Sequence, residues 1–125
     1  MTQTGTRTRP HATHRLIASD KVEGTSVYNR QGERLGKLRK FMVDKRSGRA
    51  EYAVLSFGGL FGLGGAQYPL PWNALEYDTD KGGFVVDLDK DKLDNAPRYD
   101  EGEEPDYDPD YGRAVYDYYG VIYTY

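Results

Sequence analysis

Hydrophobic positions in this chain come in short runs, each closed by turn residues. Residues 1–14 (MTQTGTRTRPHATH) show no apolar period and read as a disordered leader; order is expected to begin at Leu16 and Ile17. Ser19 is expected to cap a short turn over 19–24, and 26–28 predicts a first short strand. The NRQG stretch at 29–32 predicts a turn, because Asn and Gly tolerate the positive φ of a tight hairpin. Residues 33–44 (ERLGKLRKFMVD) predict a second strand with imperfect alternation: Leu38 and Met42 share one face, while Leu35, Phe41 and Val43 share the other. Gly36 within it marks a bulge or strong bend.

KRSG at 45–48 turns the chain again, and 50–57 (AEYAVLSF), rich in β-branched and aromatic residues, predicts a third strand. A strand at 67–70 follows a glycine-rich loop; Pro69 and Pro71 cannot donate ladder hydrogen bonds, so it is expected to be short or at an edge. Residues 75–79 and 84–88 flank DKGG as a further hairpin, and 89–95 predicts one helical turn. Strands at this spacing, with turn chemistry between them, predict an all-β barrel or sandwich.

Charge adds a division along the chain. Residues 1–15 carry Arg7, Arg9 and Arg15 without an acid, residues 16–97 balance at 12 basic and 12 acidic, and residues 98–125 hold eight carboxylates against Arg98 and Arg113. The expected organisation is a leader at 1–14, a domain at 15–97 and an acidic, Tyr-rich tail at 98–125. The central domain is small and has no cysteine to staple it, so pairing with a second copy is expected to help it. Without cysteine, an apolar signal run or an 18-residue apolar stretch, the chain is expected to be cytoplasmic and to have no membrane span.

The segments VYNRQGERLGKL (27–38), Val43-Asp44, EYAVLSFGGLFGLGG (51–65) and PLPWNAL (69–75), in this order and spacing, resemble the PRC-barrel family. That family is named for the cytoplasmic part of the photosynthetic reaction centre H subunit. The same barrel forms the C-terminal domain of a bacterial ribosome-maturation factor, and the glycine-rich loop ending in Pro-Trp looks most like the stand-alone bacterial members. The resemblance implies a small six-stranded β-barrel that docks or assembles other proteins, and it offers no catalytic residues to carry over.

The loop SFGGLFGLGGAQYPLPW has five glycines between 58 and 65, but Gly65-Ala66 stands where a phosphate loop needs Lys-Ser/Thr, and QYPLPW cannot open a helix. The expected use of the loop is to present Leu60, Phe61 and Leu63 to a partner. Trp72 is expected in the barrel core behind it. Arg34, Lys37, Arg39, Lys40, Lys45, Arg46 and Arg49 lie within 16 residues and form a candidate anion patch, or a solvated hairpin face.

The tail reads as a disordered solubilising segment, a mask over that patch or a contact for a basic partner; its last stretch, AVYDYYGVIYTY, is apolar enough to add a strand or pack on the barrel. DLDKDKLD (87–94) and 106–117 imitate calcium loops poorly: the first lacks the glycine at position six, and in the second Gly112 falls at seven and Pro109 stiffens the turn. His11 and His14, the two histidines, both lie in the leader. No enzyme, cofactor or metal is expected. The expected function is a non-enzymatic protein–protein interaction and assembly module, a homodimeric stand-alone adaptor; the alternative is an RNA- or ribosome-associated factor using the basic hairpin 34–49.

Overall fold

The computed structural model describes residues 15–57 and 65–124. The glycine loop at 58–64, with Leu60, Phe61 and Leu63, and the leader at 1–14 lie outside them. Seven strands form one sheet. In chain order they are β1 (Ser26–Tyr28), β2 (Arg34–Val43), β3 (Ala50–Ser56), β4 (Ala66–Pro71), β5 (Leu75–Asp78), β6 (Gly83–Val86) and β7 (Tyr99–Asp100). Across the sheet the order is β5-β6-β1-β2-β3-β4-β7, antiparallel except for β1 beside β6. Three α-helices accompany them among the described residues, α1 (Ser19–Val22), α2 (Lys90–Asp94) and α3 (Pro109–Tyr118), with a 3-10 turn at Trp72–Ala74.

The six expected strands are all present, but the closed six-stranded barrel is not. β5 and β7 are the two ends of an open sheet, and the extra strand comes from the tail. It pairs Ala66 with Asp100 and Gln67 with Tyr99, covering the first two residues of β4. Pro69 and Pro71 lie past the end of that short ladder, where their missing N–H groups forfeit no bond to β7. All six residues of β4 are buried, so the strand is interior by burial although four of them lack a strand partner on that side among the described residues.

β2 departs from the alternation expected of it because it is irregular at three places. Val27 faces Gly36 while Tyr28 faces Arg34, which leaves Leu35 as an extra residue. A second shift leaves Arg39 as an extra residue between Leu38 and Lys40, and at the third, between Met42 and Val43, the extra residue is Glu51 of β3. Each bulge resets which face the next side chain takes. Leu35, Leu38 and Phe41 therefore all reach the main core, Met42 turns to the other face, and Val43 is left exposed. Gly36 is needed for a different reason from a bend: a Cβ there would stand 2.0 Å from the Ser56 carbonyl oxygen.

The expected turn at 29–32 is built on Asn29, whose Oδ1 accepts from the backbone N–H of Gln31 (3.0 Å) and Glu33 (2.9 Å), with Gly32 at φ +87°. Ser19 does not cap α1; it is the first helical residue, and Ala18 precedes it with no side-chain hydrogen bond. Asp89 does cap α2, accepting from Lys92 N–H at 2.8 Å.

The main core gathers Leu35, Leu38, Leu55, Phe57, Tyr68 and Leu70 from the sheet with Leu93 from α2. Burial of each such aliphatic side chain contributes roughly 2 kcal/mol. β3 is buried on both faces: Ala53 and Leu55 face this core, while Tyr52 faces a second cluster with Val115 and Tyr116 of α3.

The tail is therefore a packed element, and of the readings its composition allows, packing on the sheet is the one adopted. Asp108 caps α3 by accepting from Tyr111 N–H at 2.9 Å, and Pro109 holds its first turn. At the other end Gly120, at φ +70°, lets its N–H reach Asp117 O (3.1 Å) and Val121 N–H reach Tyr116 O (2.9 Å), a double closure of the last turn.

Candidate partner-binding surface

Among the described residues β5 is the outermost strand and pairs on one side, with β6. Its Tyr77 is 40% exposed and stacks edge-on against Phe84 at 5.2 Å; Phe84 meets Trp72 at 5.9 Å, and Trp72 meets Phe41 at 5.7 Å. This row of rings runs from the core to the surface. Leu16 and Ile17, just before α1, stand beside it at 79% and 43% exposed.

Between them lies a hollow of about 200 Å³ lined by Leu16, Ile17, Trp72, Tyr77 and Phe84. It adjoins a second of about 410 Å³ that extends past Lys21, Thr25 and Gly82. Polar groups at the margins are Arg15 and Thr79 in the first hollow and Lys21 and Thr25 in the second. Such a surface takes apolar side chains, and the free edge of β5 offers backbone hydrogen bonds to an added strand. Trp72 thus belongs to a half-buried groove floor rather than to a closed core. Leu16 and Ile17 were expected as the start of order but not as part of a surface with Tyr77; the signal available was an apolar pair ahead of α1 and one aromatic between the acids of LEYD.

The seven cations of the candidate anion patch are strung along β2 and its turn. Ten residues of strand span about 30 Å at roughly 3.3 Å each, so the group is a stripe rather than a pocket. Arg34 Nε donates to Ser26 Oγ at 3.0 Å. Lys40 Nζ donates to Glu104 of the tail at 2.6 Å. Burial works to lower the pKa of Lys40, but its hydrogen bond to Glu104 and the charges of Tyr99 and Glu104 outweigh that and raise it. Lys37, Arg39, Lys45, Arg46 and Arg49 are exposed. Asp44 organises the turn by accepting from Arg46 N–H (2.7 Å) and Ser47 N–H (3.2 Å), and these bonds hold its carboxyl below the usual range.

The acidic runs are spent on structure: Asp89 and Asp108 cap helices, and Asp110 pairs with Arg113. Among the described residues no group of three or more His, Cys, Asp or Glu side chains is gathered as a metal site, including in 106–117. No helix among them is long and apolar enough to cross a membrane.

A comparison with curated proteins returns no match. The profile of the PRC-barrel domain matches residues 14–93, which span α1, β1 to β6 and most of α2. That segment is well over half the chain and carries both the groove and the basic stripe; the chain belongs to the PRC-barrel domain family.

Proposed function

We propose that the chain is a docking and assembly module without catalytic activity of its own. It pairs with a second copy through the free edge of β5 and holds a protein partner through Leu60, Phe61 and Leu63, between β3 and β4. Membership in the PRC-barrel domain family supports an interaction role. The observation that carries the dimer is the groove beside β5, where Leu16, Ile17 and Tyr77 remain exposed next to a strand with one neighbour. Two such edges meeting across a twofold axis would satisfy each other's backbone groups and bury both sets of apolar side chains. The absence of cysteine is consistent with a cytoplasmic setting.

Light scattering on the wild-type chain is expected to show a dimer, and Tyr77→Lys with Ile17→Asp a monomer with the sheet intact. A wild-type chain that stays monomeric at high concentration removes the dimer. For the partner, Phe61→Ser is expected to lose captured protein in a pull-down, and equal capture counts against the loop. Retention on RNA at low salt, lost in Lys37→Glu with Arg39→Glu, would favour the basic stripe instead.

A further inference from the structure

The segment 98–124 lies wholly beyond the family match at 14–93, and it is attached to the sheet by a short set of discrete contacts. Its strand is a two-residue ladder on β4. The ion pair of Glu104 with Lys40 joins it to the sheet and is partly exposed on both sides. The rest is mainly tyrosine, with Val115 fully buried among the rings. The Tyr52 ring of β3 meets Tyr107 at 4.9 Å and Tyr116 at 5.9 Å, both edge-on, and Tyr99 and Tyr107 share a hydroxyl hydrogen bond of 3.0 Å. Tyr116 donates to the Glu51 carbonyl. Lys92 of α2 donates to Tyr118 O at 2.8 Å and receives the Tyr118 hydroxyl on its own carbonyl.

α3 also completes its own fold. Both ends are capped from within the segment, and the Tyr123 ring lies over Gly112, where a Cβ would come within 2.5 Å of it. A segment closed in this way resembles a bound peptide more than a core element.

The fit is incomplete in one respect. The hydroxyls of Tyr52 and Tyr68, with the rings at most 1% exposed, and that of Tyr119 have no hydrogen-bond partner among the described residues. Covering a hydroxyl without giving it a partner opposes docking. Burial, aided by the neighbouring Tyr123, pushes the Tyr52 hydroxyl well above its ordinary range, so it stays protonated and asks for an acceptor. Lys40 beside this face and Lys92 on α2 are two cations that the tail engages.

We propose that the outer face of β3, with the adjoining edge of β4, is a peptide-docking face. The chain's own residues 98–124 are its built-in, releasable occupant. Its ligand in trans is an acidic, tyrosine-bearing strand-and-helix segment of a partner protein that brings a hydrogen-bond acceptor to Tyr52. Release also frees the Ala66–Gln67 edge, next to the loop that carries Leu60, Phe61 and Leu63. The proposal stands independently of the β5 dimer.

Two experiments on the full chain decide it. In hydrogen exchange on the wild-type chain, the amides of α3 should exchange at least about tenfold faster than those of β3, as a unit that opens alone. A dye-labelled peptide of residues 98–125 should bind the Tyr116→Ala chain at least about tenfold more tightly than wild type, while a peptide of the same composition in scrambled order does not bind. Three results would overturn the proposal: α3 amides exchanging at the rate of β3, no capture by a Tyr116→Ala chain whose sheet stays protected, or equal capture of the scrambled peptide. Loss of sheet protection in Tyr116→Ala would also overturn it, because the segment would then be part of the core.

Discussion

Gly36 and Gly112 both exclude a side chain, but what they exclude it from differs. At Gly36 the obstacle is backbone, the Ser56 carbonyl at 2.0 Å from a built Cβ, with the Phe57 Cα at 2.9 Å. Two strands cannot part there without losing their ladder. At Gly112 the obstacle is the outer edge of the Tyr123 ring at 2.5–2.6 Å, which can swing away. Gly36→Ala is therefore expected to cost at least about 3 kcal/mol in denaturant unfolding. Gly112→Ala should cost about 1 kcal/mol or less, since helix propensity returns about as much as the displaced ring removes. Equal losses at the two sites would contradict this account. Gly36 was legible in the sequence as the mark of a bulge or a bend, and the Leu35 bulge lies beside it; the close approach of β3 has no local signature.

At the scale of elements, legibility follows how local the causes are. The hairpin turn on Asn29 and the six strands were readable because turn chemistry and β-branched runs are written in neighbouring residues. The faces of β2 were not, since each bulge is a choice of register against β1 or β3 that the strand's own sequence leaves open. α3 was hidden by its composition: the Asp-Pro start and the Gly120 finish are ordinary helix punctuation, yet acid and tyrosine content suggested a solvated tail or a poor calcium loop. The groove was missed for a third reason. Leu16, Ile17 and Tyr77 are distant in sequence, and only the sheet order brings them together. Because α3 depends on its caps, Asp108→Ala should cost about 1 kcal/mol and lower helical circular dichroism, while Asp108→Asn should leave both nearly unchanged. Equal effects from the two substitutions would show that the charge, rather than the accepted hydrogen bond, holds the helix start.

The whole molecule joins two unlike halves: a neutral sheet and an acidic segment held to it by rings. Burial pushes the Tyr111 hydroxyl up to about 12, and it drives Tyr52, Tyr107 and Tyr119 higher still. The folded state thus favours protonated phenols. Their contribution is fully present below the unfolded tyrosine value of about 10 and is lost as pH rises through the folded values. Titration should show these four packed tyrosines ionising late, together with loss of α3. A single ionisation near 10 with α3 intact would contradict this packing. Salt should matter little, because the Lys40–Glu104 pair is partly exposed and worth less than about 1 kcal/mol.

Trp72 gives these surfaces a practical consequence. It is the one tryptophan among twelve tyrosines, and its ring contacts run to Phe41 and Phe84 at the groove. Its indole emission is therefore a built-in optical reporter of that groove. An occupant that dries the groove shifts the emission to the blue, whereas departure of the tyrosine-packed segment registers mainly in tyrosine signals. Occupancy of the two surfaces can thus be followed separately in one cuvette, with no label attached.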